Sequence, residues 1–154
     1  MIVVVSDTSA ISALIQIGEI DILRQLYGQI FIPEAVRNEL KRSHAHIPGF
    51  IQIESISPSP ELHARIQTLD IGEAHAIMLA EQIRADLLLI DEKKGRAAAA
   101  SAGLQYMGLV GALIEAKRRG FLSSLTAILD RITVDAGFRL SLQIRKAVLN
   151  AAGE

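Results

Sequence analysis

Two short apolar runs of the chain each end on an aspartate, a residue type that binds cations. Residues 2–6 lead to Asp7, and residues 87–90 lead to Asp91. Runs of Val, Ile and Leu without polar alternation predict strands buried on both faces, as in a parallel sheet covered by helices. Ligands of such sheets bind outside the carboxyl ends of the strands. The two aspartates therefore predict a cation or phosphate site at that edge.

Two glutamates lie on predicted helices that could face the same edge. Glu39 borders the apolar face of a helix expected to start at Pro33. Glu73 lies on the buried face of another predicted helix, in the first turn, where the helix dipole favours an anion. With Asp7 and Asp91 they form a candidate cluster of four carboxylates.

Such a cluster has an electrostatic consequence. Two unit charges about 4 Å apart repel by about 4 kcal/mol at an effective dielectric constant of about 20. The carboxylates must therefore take up protons or bind a cation. Ligand sets made only of oxygen favour hard ions, so the expected metal is Mg²⁺ or Mn²⁺.

The remaining pattern alternates strands with helices, which predicts an α/β fold, a three-layer α/β/α sandwich with a mainly parallel sheet. Strands are predicted over residues 2–6, 30–32, 50–56, 87–90 and 103–107. Helices are predicted around residues 11–15, 33–42, 95–102, 109–119, 124–131 and 141–150, and from about residue 70. Residues 43–60 hold three of the four prolines, which predicts an exposed loop region or an edge strand.

Composition sets the remaining bounds. A chain of 154 residues is expected to form a single domain over residues 1–154. The net charge of -1 gives no global field for nucleic acid, so such a partner must be held by local clusters. The absence of cysteine excludes disulfides and thiolate metal sites and fits a reducing cytoplasm. We expect neither a secretory leader nor a membrane partner.

Four segments, in this order and spacing, resemble the PIN domain superfamily and within it the DUF3368 group, which is related to VapC-type toxins. The segments are residues 5–11, 36–40, 69–77 and 88–96. The resemblance implies a metal-dependent ribonuclease that hydrolyses RNA phosphodiester bonds and that is the toxin of a toxin and antitoxin pair. The implied partners are RNA and a small antitoxin protein, and a homodimer is left open.

The resemblance also implies the roles of individual residues. The catalytic and metal-binding quartet maps onto Asp7, Glu39, Glu73 and Asp91, which would hold one or two Mg²⁺ or Mn²⁺ ions. Related chains often carry a hydroxyl residue after the first glycine of the segment 108–111, where this chain has leucine.

Five further residues are expected to bind RNA. Thr8 and Ser9 begin the first helix, where hydroxyls and backbone amides favour phosphate. Lys93, Lys94 and Arg96 form a basic cluster next to Asp91. An ordinary solvated face explains that cluster equally well.

The glutamates also have purely structural interpretations. Glu73 lies three residues after Asp70 and could close a capping box, a role that is compatible with metal binding. Glu39 could pair with Arg42 on the helix surface.

Two alternative functions share features with this sequence. A noncatalytic PIN-like binding module would keep the fold without the chemistry. A phosphoacceptor receiver domain also has strands that end in acids, but Asp7 and Asp91 are separated by far more than one strand-helix-strand unit, and no second acid adjoins Asp7.

Overall fold

Five parallel strands form one sheet in the computed structural model, which describes residues 2–154. The strands are β1 (Val4–Ser6), β2 (Ile30–Pro33), β3 (Ile51–Glu54), β4 (Leu87–Leu89) and β5 (Tyr106–Met107). Their order across the sheet is β3-β2-β1-β4-β5, and every neighbouring pair is parallel. Since Ser6 pairs with Leu89, the two central strands end side by side.

Nine helices lie between and after the strands within residues 2–154. They are α1 (Thr8–Gln16), α2 (Asp21–Tyr27), α3 (Glu34–Ser43), α4 (Pro60–Arg65), α5 (Ile71–Gln82), α6 (Lys93–Ser101), α7 (Leu109–Arg118), α8 (Leu125–Val134) and α9 (Leu142–Ala151). None of these helices combines the length and the apolar character needed to cross a bilayer.

The central strands β1 and β4 are buried between two layers of helices, and all of their residues except Ser6 are apolar. Successive side chains point to opposite faces, so Val4 and Leu89 pack on one side, whereas Val5 and Leu88 pack on the other. The first side is covered mainly by α1, α2, α3, α7 and α8, and the second by α5 and α6. This arrangement is the predicted three-layer α/β/α fold, and its sheet is entirely parallel.

Two short helices, α2 and α4, are not predicted by the sequence pattern. Helix α2 ends at Gly28, whose φ of 77° is favourable only for glycine. Its buried residues Ile22 and Leu26 are four positions apart, a weak helical signal within only seven residues. Helix α4 begins with a proline after Ser59, whose hydroxyl accepts from the Leu62 amide.

The strand order also excludes the receiver-domain alternative. Flavodoxin-like receivers have the order 2-1-3-4-5, whereas this sheet has the order 3-2-1-4-5. The edge strand expected in residues 50–56 is present as β3, which pairs with β2 alone.

Candidate functional site

Asp7 and Asp91 lie next to each other at the carboxyl edge of the sheet. The Asp7 amide donates to the Leu89 carbonyl at 2.9 Å, which extends the pairing of β1 with β4 beyond the strand end. Asp7 then occupies the N-cap position of α1, and its side chain makes no cap hydrogen bond. The carboxylate therefore remains available within the site.

The Asp7 side chain is almost completely removed from solvent. Asp7 is 2% exposed, and its Oδ1 atom has no hydrogen-bond partner. Burial, together with the negative charges of Asp91 and Glu73, raises the pKa of Asp7 to about 8. A nearby cation would favour the charged form and reverse this shift.

Asp91 is held by the first turn of α7. Its Oδ1 atom accepts a hydrogen bond from the Leu109 amide at 3.0 Å and lies 3.6 Å from Arg96 Nη2. Burial raises the pKa of Asp91, while the Leu109 hydrogen bond and the Arg96 charge oppose that rise. Its Oδ2 atom is buried without a partner. At position 109 a backbone amide thus contacts the acid, whatever the side chain.

Glu73 closes the capping box that its spacing from Asp70 suggested, and its metal-binding role stays a prediction. Asp70 and Glu73 form a capping box at the start of α5, in which Glu73 Oε1 accepts from the Asp70 amide at 3.4 Å. The other oxygen, Oε2, is buried without a partner. Burial is the main reason that the pKa of Glu73 is raised. The capping role leaves this second oxygen directed into the site.

Glu39 lies on α3, half-buried, and its carboxylate is positioned by Thr8. The Thr8 hydroxyl donates to Glu39 Oε2 at 2.5 Å. Among the salt bridges within residues 2–154, none joins Glu39 to Arg42. The inward orientation expected from the apolar stripe of α3 is therefore the one observed.

Three glycines leave room for three of the acids. A Cβ atom on Gly72 would lie 2.5 Å from Glu39 Oε1, and one on Gly108 would lie 2.7 Å from Asp91 Oδ1. A Cβ on Gly95 would lie 2.6 Å from Ile90 Cδ1 and 3.2 Å from Glu73 Oε2. No sequence argument had assigned these glycines a role, because each contact joins different elements.

Two adjoining cavities are lined by the four candidate acids together with Thr8 and Ser9. A small pocket of about 70 Å³ is lined by Asp7, Thr8, Ser9, Glu39, Asp70, Glu73 and Glu92. Asp91 lines a larger groove of about 700 Å³, which shares Thr8, Ser9 and Glu92 with the pocket. Glu92 follows Asp91 directly in the sequence. It is exposed yet lines both cavities, because it is the N-cap of α6 at their junction.

The basic cluster divides between the groove and the outer surface. Arg96 lines the larger groove, and its Nε atom donates to the Ile90 carbonyl at 3.3 Å. Lys93 and Lys94 are exposed on α6 and line neither cavity. RNA binding by these three residues stays a prediction. It applies best to Arg96, the one that lines the groove.

The donor set fits a divalent cation in its chemistry. Asp7, Glu73 and Asp91 each present one buried oxygen without a hydrogen-bond partner, and such atoms are costly to bury unless something satisfies them. In their present positions, however, no three carboxylate or imidazole groups of residues 2–154 form a shell for one ion. An ion would therefore have to draw these side chains together by rotation.

Comparison with known proteins agrees with this geometry. A family model described as a PIN domain, DUF3368, matches residues 3–154. A search of the curated proteins gave no significant match. PIN domains generally include nucleases and typically use divalent metal ions. Because the model spans almost the complete sequence, the chain belongs to the DUF3368 family of PIN domains.

Proposed function

We propose that this protein is a metal-dependent ribonuclease that hydrolyses RNA phosphodiester bonds with Mg²⁺ or Mn²⁺. The observation that carries the proposal is the set of three unpartnered, buried carboxylate oxygens on Asp7, Glu73 and Asp91 at the carboxyl edge of the sheet. A bound cation offsets their desolvation and their mutual repulsion. The family's general use of divalent metal ions supports the same assignment.

The four acids share one role in this proposal. Asp7, Glu39, Glu73 and Asp91 would hold the cation, which when bound would neutralise charge at the phosphate and lower the pKa of the attacking water. Thr8 orients the Glu39 carboxylate through its hydroxyl. Because burial raises the pKa of Asp7 to about 8, cation binding near neutral pH releases a proton from that side chain.

The adjoining groove supports a polymeric substrate. It begins at Asp91 and Glu92 and also contains Thr8, Ser9 and Arg96, whose hydroxyls and guanidinium are donors for phosphate oxygens. Arg96 is partly neutralised by Asp91 at 3.6 Å, and a cation on Asp91 would release it toward a phosphate.

We also propose a biological setting, which depends on the family resemblance alone. In it the protein acts in the cytoplasm as the toxin of a toxin and antitoxin pair, and a small antitoxin protein restrains it. A homodimer is compatible with this setting. Neither the antitoxin nor a second copy of the chain contributes to the chemistry that we assign to the four acids.

The direct test is cleavage of RNA by the purified protein and by its Asp7→Asn variant. Total RNA and single-stranded DNA of matched length are incubated with Mg²⁺, with Mn²⁺ and with excess EDTA, and the new ends are sequenced. We expect RNA cleavage that requires metal and Asp7. Undiminished cleavage in EDTA, or cleavage by Asp7→Asn at the wild-type rate, would overturn the proposal.

A noncatalytic PIN-like binding module is the second candidate. The observation that favours it is the lack of a preformed ion shell within residues 2–154. The two candidates differ in the response to metal. A nuclease shows a higher melting temperature with Mg²⁺ or Mn²⁺ in the wild type but not in Asp7→Asn, whereas a module without a metal site shows no such difference.

A further inference from the structure

The larger groove extends well beyond the acids. One wall is α1, which contributes Ser9, Ser12 and Gln16. The lining also includes the start of α7 and the segment 136–140 between α8 and α9. Its volume of about 700 Å³ lies in the range of about 300–1,000 Å³ in which proteins bind ligands. The groove therefore has room for more than the group that reacts at the acids.

Arg139 is the second arginine on the groove wall, after Arg96. Arg96, the other arginine of the groove, lies 3.6 Å from Asp91, and two arginines on the flanking helices α8 and α9 are paired, Arg131 with Glu19 and Arg145 with Asp130. Arg139 is exposed, and within residues 2–154 its side chain takes part in no hydrogen bond or salt bridge. Its guanidinium is free to bind an anion that enters the groove.

The chemistry of the groove favours one kind of anion. Phe138 and Leu140 flank Arg139 and give the lining an apolar part, while Ser9 on α1 offers a hydroxyl. Ser12 and Gln16 are engaged with His44 and with the Asp135 carbonyl. Unpaired nucleotides combine these requirements, since their bases stack on apolar or aromatic surface and their phosphates pair with arginine. An isolated small anion would use only the guanidinium.

We propose that Arg139 binds a phosphate of the RNA strand that flanks the bond to be cut, and so seats an unpaired stretch of substrate in the groove. This inference rests on the proposed ribonuclease function. We assign Arg139 to binding and not to bond cleavage, because it lines the larger groove and not the small pocket that Asp7, Glu39 and Glu73 line. Its replacement therefore weakens RNA binding equally in the ground state and in the transition state.

The test compares Arg139→Gln with Lys146→Gln. Lys146 is exposed on α9 outside the groove, so the control removes the same charge from the neighbouring element. We expect Arg139→Gln to raise KM for single-stranded RNA about five- to tenfold with kcat nearly unchanged, and Lys146→Gln to change neither. Arg139→Lys should retain part of the affinity because it keeps the charge.

Binding is measured separately in the Asp7→Asn background, with a fluorescein-labelled single-stranded RNA of mixed sequence and a hairpin of the same composition. Arg139→Gln should lower the logarithmic salt slope of single-strand binding by about 0.7. If the wild type cleaves RNA but Arg139→Gln matches Lys146→Gln in KM and slope, this inference is overturned and the proposed function stands. If RNA binding depends on Arg139 but no RNA is cleaved, the ribonuclease proposal is overturned instead. If RNA is neither bound nor cleaved, both fail.

Discussion

Gly72 and Glu39 are so close that a Cβ atom on Gly72 would lie 2.5 Å from Glu39 Oε1. Gly72 is buried in the first turn of α5, where the helix packs against α3. The missing side chain leaves the space that the Glu39 carboxylate occupies beside Glu73. A glycine in a helix is unfavourable by about 1 kcal/mol relative to alanine, so its presence here fits a requirement for that space.

The first prediction concerns Gly72→Ala. The atom in the way is the end of a flexible side chain, so the Glu39 carboxylate should move while the helix remains. We expect unchanged or higher thermal stability without metal, and RNA cleavage reduced at least about tenfold. Melting temperature and cleavage rate are measured for Gly72→Ala and Glu39→Gln side by side. Full activity in Gly72→Ala would show that the observed position of Glu39 is not needed.

The sequence predicted what depends on local pattern and missed what depends on contacts between elements. Apolar runs that end at Asp7 and Asp91 were enough to predict a parallel sheet and to place both acids at one edge. The side-chain period of a helix was enough to direct Glu39 inward. The close approaches of Gly95 and Gly108 to the acids, and the free guanidinium of Arg139, required the packed structure.

The second prediction is the pH dependence of Asp7→Asn in metal-free solution. The pKa of Asp7 rises from 3.8 to about 8 on folding, mainly through burial. Between those values the folded protein holds a proton that the unfolded chain has released, so this carboxyl makes the protein less stable as pH rises. Asparagine lacks this titration and is an equally good N-cap residue.

We therefore expect Asp7→Asn to be more stable than the wild type at pH 7 by at least about 1 kcal/mol, with a gap that narrows toward pH 4. Urea unfolding in EDTA across this pH range measures the difference. A variant less stable than the wild type throughout would mean that Asp7 is mainly a structural residue.

The third prediction separates charge from hydrogen bonding at Asp91. Its Oδ1 atom accepts from the Leu109 amide at 3.0 Å, at the start of α7. Asp91→Asn keeps that acceptor and removes the charge, whereas Asp91→Ala removes both. We expect both variants to lose RNA cleavage, and Asp91→Ala to be less stable than Asp91→Asn by about 1 kcal/mol. Equal unfolding free energies of Asp91→Asn and Asp91→Ala would show that this hydrogen bond does not contribute to stability.

The fourth prediction concerns Glu154, which lines neither cavity of the candidate site. Replacing it therefore tests the fold independently of function. Its carboxylate accepts from the Leu125 amide at 2.6 Å and from the Thr126 amide at 3.1 Å, and it lies 3.1 Å from Lys117 Nζ. The hydrogen bonds from Thr126 and Leu125 lower the pKa of Glu154 from 4.5 to about 2. The charged form is thus favoured in the folded state.

Stability from this carboxylate is complete above about pH 5 and is lost as pH falls toward about 2. Glu154→Gln should therefore be less stable than the wild type at neutral pH and equal to it near pH 2. The control is Glu54→Gln on the exposed edge strand β3, where the structure shows no such contacts. A stability difference that does not change with pH would contradict the prediction.

The last prediction decides which part of the basic cluster binds RNA. Arg96 lines the groove, whereas Lys93 and Lys94 point to the outer surface of α6. If position in the groove decides, Arg96→Gln alone weakens RNA binding more than the double change of Lys93 and Lys94 to Gln, and lowers the logarithmic salt slope by about 0.7. If overall charge decides, the double change has about twice the effect of the single one. Both variants are compared in the Asp7→Asn background with EDTA present, so that a change in metal binding next to Asp91 cannot affect the measured RNA binding. A larger slope change for the double variant would assign RNA binding to the outer face of α6 and contradict the role of Arg96.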